Sequence, residues 1–133
     1  TKNGAMAAEL VIAFKPGLAD AIAPRWHRSG HRLSKMRFLS AQLDAYFEND
    51  LWLRSARHAN AMAARLAAGL GASLLRPVDA NVVFTRFAPD VVARLQSAGF
   101  EFYDWPIFGA DAYRLVTGWS TREEDVDALL AAL

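Results

Sequence analysis

The sequence predicts an α+β sandwich, in which a small sheet carries helices on one face. Two observations lead to this fold class. The hydrophobic patterns run first as helices and then in the order β-α-β-β-α. The 133 residues are 53% hydrophobic and 22% charged, so a packed core is expected, because disordered chains combine low hydrophobicity with high charge. The length is that of one domain of ordinary size.

The first fifty residues are predicted to hold one strand and two helices. Residues 5–14 are small or apolar with one glutamate, and Lys15-Pro16-Gly17 follows them with strong turn chemistry, which indicates a buried strand. Asp20 is predicted to cap a helix that is broken near Pro24, because proline disrupts a helix interior. A second helix is predicted over residues 33–47.

The segment from Leu51 onwards is predicted to form the longest helix. Asn49 or Asp50 offers its N-cap, and Gly69 and Gly71 supply stop signals. Apolar side chains recur at helical spacing between these ends, at Ala59, Met62, Leu66 and Leu70.

The last third of the chain is predicted to alternate strands and helices. Residues 81–87 are rich in β-branched and aromatic side chains and indicate a strand. An amphipathic helix is predicted over 89–99, followed by strands over 100–105 and 113–116. A threonine with a glutamate three residues later, in residues 121–124, has the capping-box spacing that opens a final helix.

Positive charge is concentrated in residues 21–43. The whole chain carries a net charge of +1, too small for nucleic-acid binding by bulk charge, so no nucleic-acid partner is expected. Residues 21–43 hold no acidic side chain, and their basic side chains are Arg25, Arg28, Arg32, Lys35 and Arg37. Such a block is either a solvated helix face or a site for phosphate or carboxylate.

The absence of cysteine and of long apolar runs narrows the class of protein. Zero cysteines exclude a disulfide framework, a thiolate metal site and a cysteine nucleophile, and they fit a cytoplasmic location. No apolar run approaches the roughly 20 residues of a membrane span, so no membrane partner is expected. The first residue is Thr1 and not methionine, which indicates a piece of a longer polypeptide.

Three positions could carry chemistry, and each has an ordinary alternative. Lys2, close to Gly4, is either a terminal lysine beside a turn or an amine for Schiff-base chemistry. His27 and His31 would share one helix face, but the flanking arginines and the lack of nearby carboxylates disfavour a metal. Arg114 lies among apolar neighbours in a predicted strand. Because burying an unpaired guanidinium is costly, Arg114 needs an internal ion pair or a substrate carboxylate.

Four stretches, in this order along the chain, resemble motifs of the low-specificity L-threonine aldolases and phenylserine aldolases, which are pyridoxal 5'-phosphate (PLP) enzymes of the aspartate-aminotransferase fold type I. Residues 1–5 (TKNGA) resemble the Schiff-base lysine motif of that family. Residues 30–39 (GHRLSKMRFL) resemble the basic segment before its interface helix. Residues 79–84 (DANVVF) and 113–119 (YRLVTGW) resemble two strand motifs of its small domain. The resemblance covers nearly the entire chain.

The resemblance implies a fold and a division into domains. The chain would be the C-terminal portion of a PLP-dependent transferase of fold type I, an α/β protein whose small domain has a mixed or antiparallel sheet. Residues 1–20 would end the large PLP-binding domain with the Schiff-base lysine and the following strand. Residues 21–70 would supply interface and connecting helices, and residues 71–133 the small domain.

The resemblance also implies the residues of the site. Lys2 would hold PLP, and Arg114 would bind the substrate α-carboxylate. Lys35 would approach the cofactor phosphate of a neighbouring subunit, and Arg28 would be a second basic group near that shared site. The assembly would be a homodimer or homotetramer, and no metal is implied.

The activity implied by the resemblance is retro-aldol cleavage of L-threonine or related 3-hydroxy-L-amino acids to glycine and an aldehyde. The catalytic base of that family precedes the Schiff-base lysine, so these 133 residues alone are expected not to catalyse the reaction. Two alternatives remain. One is another fold-type-I lyase that acts by β-elimination, and the other is a non-catalytic oligomerisation domain.

Overall fold

The computed structural model describes residues 3–133 and divides the chain into two compact units. The first unit ends at Trp52, and the second runs from Leu53 to Leu133. The division into residues 1–20, 21–70 and 71–133 stays a prediction. Within the described part of the chain, no helix combines the length and the apolar character that crossing a membrane requires.

The first helix, α1 (Leu18–Arg28), runs through Pro24 without a break, so the break predicted there is wrong. Proline removes the hydrogen bond that would reach the carbonyl of Asp20. No residue of α1 is buried, so water can solvate that carbonyl instead. Asp20 lies in the first turn and does not cap the helix; the N-cap position is Gly17, at φ +75°.

The second helix, α2 (Arg37–Phe47), begins four residues later than the sequence predicts. The physical reason is Lys35, whose φ of +62° lies in the left-handed region and cannot continue a right-handed helix. Its carbonyl accepts a hydrogen bond from the Phe38 N–H at 3.2 Å, which starts the helical turn.

Residues 5–14 form no strand in this structure, so the buried strand predicted there is wrong. A strand needs the N–H and C=O groups of a neighbouring strand, and none lies in the described part of the first unit. Two N–H groups of this segment bind a side chain and not a neighbouring strand: Met6 and Ala7 donate to Oε1 of Gln42 at 3.0 and 2.9 Å. Phe14 remains 90% exposed.

The longest helix is confirmed as α3 (Leu51–Leu70), which begins directly after Asp50. The four apolar positions that the spacing selects are all buried, together with one further alanine: Ala59, Met62, Ala63, Leu66 and Leu70.

The second unit contains the sheet. Strands β1 (Val82–Arg86), β2 (Tyr103–Asp104) and β3 (Ala112–Val116) pair antiparallel in the order β1-β3-β2. Helix α4 (Pro89–Ser97) lies between β1 and β2 in sequence, and α5 (Glu123–Ala131) ends the chain.

Strand β2 is shorter than predicted because the chain turns away after two residues. Trp105 still donates its backbone N–H to the Ala112 carbonyl at 2.8 Å. Pro106, which has no N–H to add to the ladder, then opens a short 3-10 turn that ends at Phe108.

The two faces of the sheet are chemically different. Val83 pairs with Leu115, and both are buried in the core with residues of the three helices of the second unit. Phe84 pairs with Arg114 on β3, and this pair lies on the opposite face because side chains alternate along a strand. The sandwich of a small sheet with helices on one face is therefore confirmed. The buried core residues are Met62, Ala63, Leu66, Leu70, Val83, Phe87, Leu95, Leu115, Val126 and Leu129.

The start of α5 differs from the capping box predicted for residues 121–124. The helix begins at Glu123, and the Asp125 carboxylate accepts the Arg122 backbone N–H at 3.2 Å. Thr121 instead accepts the Gly118 N–H on its Oγ1 at 2.8 Å. The hydroxyl is used by the preceding turn, so the cap forms one residue later.

Core packing of the second unit predicts the effect of Leu95→Ala. Leu95 has no exposed surface, so the truncation is expected to lower the free energy of unfolding by about 2–5 kcal/mol. The control is Ile107→Ala, at a side chain that is 77% exposed, where we expect a change within about 0.5 kcal/mol. Urea denaturation measures both. Equal losses in the two variants would contradict this core.

The ion pair between α3 and α5 predicts a pH dependence. The pKa of Asp127 is lowered mainly by the hydrogen bond from Arg65; burial partly opposes this, and the charge of Arg65 lowers the pKa further. Because the folded pKa is depressed, the pair stabilises the fold above the unfolded pKa near 3.8, and this contribution is lost as the pH falls through the folded pKa. The pair is exposed, so the effect is small.

Urea denaturation of the chain and of its Asp127→Asn variant, between pH 7 and pH 3, checks this expectation. The stability difference should stay constant down to about pH 5 and shrink at lower pH. A difference that does not change with pH would show that the Asp127 charge is not involved.

Candidate functional site

Arg114 lies in the middle of β3, at the centre of the sheet. It is paired with Phe84 on β1 and with Tyr103 on β2, on the face away from the core. The Cζ atom of its guanidinium lies 5.0 Å from the centroid of the Tyr103 ring and 4.9 Å from that of Trp105. These are cation–π distances, worth about 0.5–2 kcal/mol each. We call Tyr103 and Trp105 the ring pair.

Trp105 packs against the ring of Phe84, which in turn packs against that of Phe108. Phe84 lies 5.6 Å from Trp105 between centroids, and Phe108 packs edge-on against Phe84 at 5.1 Å. The 3-10 turn brings Phe108 back towards the sheet, since the Phe108 N–H donates to the Trp105 carbonyl at 3.1 Å. The ring next to Arg114 therefore rests on a packed aromatic layer.

Arg114 has no carboxylate partner among residues 3–133, so the internal salt bridge considered from the sequence is not found there. Its Nε is buried and has no hydrogen-bond acceptor among the residues that the structure describes. The two terminal nitrogens are not buried in this way, and no described acceptor binds them. These two nitrogens, which we call the fork of the guanidinium, therefore remain accessible to solvent, although Arg114 as a whole is half-buried.

Four other arginines of the second unit have oxygen partners inside the fold. The partners are Asp127 for Arg65 at 2.7 Å, Asp111 for Arg86 at 3.3 Å, Asp125 for Arg122 at 2.6 Å, and the Ala132 carbonyl for Arg94 at 2.7 Å. Arg114 differs from these four because aromatic rings contact it and its fork is left open. A planar guanidinium with an open fork is suited to bind a carboxylate through two parallel hydrogen bonds.

The basic segment of the first unit carries Arg28 and Lys35. Arg28 is the last residue of α1, and Lys35 lies in the turn before α2; both side chains are exposed. Neither forms an ion pair with a carboxylate of the described residues. Since α1 ends at Arg28, His27 and His31 do not share a helix face.

Lys35 is one of three non-glycine residues at positive φ in the described chain. A left-handed backbone costs an ordinary residue about 1–2 kcal/mol, and such strain is concentrated at functional positions. The strain therefore marks Lys35 within the basic segment, although its role towards a phosphate stays a prediction.

Lys2 lies outside the described residues, but Asn3, which follows it, is hydrogen-bonded to α2 and to the first turn of α3. Asn3 donates through Nδ2 to the Tyr46 hydroxyl at 2.6 Å and to the Trp52 carbonyl at 3.0 Å. Sequence reasoning missed Asn3 and Tyr46, because the contact joins positions 43 residues apart and no local pattern reports it.

Sequence reasoning also missed the ring pair. The sequence does contain a pattern that could have indicated it: Tyr103 and Trp105 are two residues apart, and side chains at that spacing share one face of a strand. Their contact with Arg114 depends on the pairing of β2 with β3, which spacing alone does not give.

The fold places the chain in a known class of protein. No protein-family model matches the chain. The solved structure of Leishmania major threonine aldolase matches 88% of this chain and 34% of its own chain, with a TM-score of 0.70 and 28% sequence identity. The predicted fold class, the C-terminal portion of fold type I, is thereby confirmed.

Curated relatives make the resemblance more specific. The low specificity L-threonine aldolase of Pseudomonas aeruginosa is 37% identical over 97% of this chain, and that of a Pseudomonas species is 36% identical over 98% of it. The chain spans 38% of the length of each relative, within their C-terminal part. Its homologues are therefore low specificity L-threonine aldolases, as the four motifs indicate.

Proposed function

We propose that this chain forms the C-terminal part of a PLP-dependent aldolase that cleaves L-threonine or related 3-hydroxy-L-amino acids to glycine and an aldehyde. The observation that carries the proposal is Arg114, whose guanidinium contacts two rings while its fork has no described acceptor. An amino-acid carboxylate would supply that acceptor. Similarity to threonine aldolases over nearly the whole chain supports this class of substrate.

The chain contains the kinds of side chain that PLP requires: an amine for the covalent bond and cations for the phosphate. Lys2 is proposed to hold the cofactor covalently. Lys35 and Arg28 are proposed to bind its phosphate, because both are exposed cations in a segment without acidic residues and such groups bind oxyanions through charge-assisted hydrogen bonds. When bound, PLP supplies an electron sink for the bond cleavage.

Arg114 has two tasks in the proposed reaction. Its fork binds the α-carboxylate, and because two parallel hydrogen bonds fix a planar group, this also orients the substituents on the substrate Cα. Correct orientation of the bond to be broken lowers the barrier, since the freedom to rotate is lost on binding and not in the transition state. The base that takes the β-hydroxyl proton is not assigned to a residue of this chain.

The active form is proposed to be a cytoplasmic homodimer or homotetramer with shared active sites. In such an assembly Lys35 and Arg28 would bind the phosphate of the neighbouring subunit's cofactor. Their exposure and their lack of described carboxylate partners support a role towards a group from outside their own unit.

Reduction with borohydride tests the proposed function directly. The complete polypeptide that carries this chain is loaded with PLP, reduced, digested and mapped by mass spectrometry. We expect a pyridoxyl group on Lys2 and none after Lys2→Arg, while Lys15→Arg leaves the labelling unchanged. Label on another lysine, or no label, would contradict the role of Lys2.

The products distinguish the alternatives in the same preparation. Glycine plus acetaldehyde from L-threonine supports the aldolase, whereas a keto acid plus ammonia would indicate a lyase that acts by β-elimination. No cofactor absorbance and no response to glycine would indicate an oligomerisation domain.

Substitution of Arg114 tests carboxylate binding. Arg114→Met removes a charge-assisted hydrogen-bonding group worth about 1.5–3 kcal/mol, so we expect KM for L-threonine to rise about 10-fold to 100-fold, with an unchanged PLP absorbance. The control is Arg86→Met, because the Arg86 guanidinium already pairs with Asp111. Steady-state kinetics measure both variants. A similar KM in the Arg114→Met and Arg86→Met variants would show that Arg114 does not bind the substrate carboxylate.

A further inference from the structure

The ring pair is placed so that both of its members reach one guanidinium. Tyr103 and Trp105 are two residues apart, so their side chains lie on the same side of the sheet, which is also the side of Arg114. The two distances from the guanidinium Cζ to the ring centroids are nearly equal, 5.0 and 4.9 Å. Arg114 is thus in contact with two aromatic rings at once.

This contact limits the conformations of a flexible side chain. A free arginine samples many rotamers, and ordering it on binding weakens the complex. The rings take up part of the guanidinium surface, and the buried Nε lies where no described acceptor can reach it. The terminal nitrogens are left as the atoms able to bind a ligand, and they are oriented before the ligand arrives.

We propose that Tyr103 and Trp105 are positioning residues, which hold the Arg114 fork in the orientation that binds an α-carboxylate. The inference rests on the proposed function and adds the source of its substrate preference. The ring pair would strengthen the binding of amino acids that carry an α-carboxylate, and it would not affect amines that lack one.

A role in fold stability alone does not account for Tyr103. Its side chain is 65% exposed, and it lies on a strand of only two residues at the edge of the sheet. Burial of apolar surface is the main source of stability, and this ring contributes little of it. The Tyr103 ring does contact the Arg114 guanidinium, at 5.0 Å from Cζ to the ring centroid.

Trp105 differs from Tyr103 because it also packs against Phe84. Its loss could therefore disturb the sheet as well as Arg114. Tyr103 provides the cleaner test, and Trp105 provides the second, independent one.

The test compares two ligands in the complete polypeptide loaded with PLP. Glycine carries the α-carboxylate, and ethanolamine is an amine of similar size without it. Titration of the cofactor absorbance gives a Kd for each. In Tyr103→Leu we expect Kd for glycine to rise about threefold to tenfold, the size of one cation–π contact, and Kd for ethanolamine to stay unchanged.

Matched variants separate the ring from the rest of the side chain. Tyr103→Phe keeps the ring and is expected to retain the wild-type Kd for glycine. Trp105→Leu should weaken glycine binding as Tyr103→Leu does, and Trp105→Phe should restore most of it. KM for L-threonine should rise in the leucine variants more than kcat falls. If Trp105→Leu does not fold, the Tyr103 variants decide alone.

Two results would overturn the inference. One is a Tyr103→Leu variant with the wild-type Kd for glycine, and the other is an equal loss for glycine and ethanolamine. In both cases the wild-type protein still responds to glycine, so the proposed function stands. A wild-type protein whose absorbance changes with neither ligand would overturn the proposed function, and the inference with it.

Discussion

The site depends on one interaction, the contact of aromatic rings with a cation at the centre of a small antiparallel sheet that has no carboxylate partner among the described residues. Arg114 is bordered by Phe84 and Tyr103 on the two neighbouring strands, and its guanidinium contacts two rings in place of a carboxylate. Aromatic faces stabilise the charge without occupying its hydrogen-bonding fork. The arrangement keeps the cation in the fold and leaves it able to bind a carboxylate that arrives from outside.

The opposite face of the sheet determines the side on which Arg114 lies. Val83 and Leu115 are buried against α3, α4 and α5, and alternation along the strands then directs Phe84 and Arg114 to the other side. The same five-residue pairing of β1 with β3 therefore builds the core and positions the site. A shift of one residue in this pairing would exchange the two faces and bury the guanidinium among the helices.

The sequence predicted best what depends on local periodicity. The buried stripe of α3 and the positions of β1 and β3 follow from spacings within one element. The strand predicted over residues 5–14 is wrong because a strand needs partners from elsewhere in a fold, and the described first unit contains none. The ring pair was missed for a related reason, since its contact with Arg114 depends on how β2 pairs with β3. The residues alone left two partners open for Arg114, an internal ion pair or a substrate carboxylate, and the family resemblance favoured the carboxylate. The structure adds a guanidinium whose terminal nitrogens have no acceptor among the described residues.

The role of Arg114 is best tested by a crystal structure of the complete PLP-containing polypeptide with glycine bound. We expect the glycine carboxylate to accept hydrogen bonds from both terminal nitrogens of Arg114, while the guanidinium still contacts Tyr103 and Trp105. A carboxylate bound by a different side chain, with Arg114 paired to an acidic residue of the protein, would contradict it.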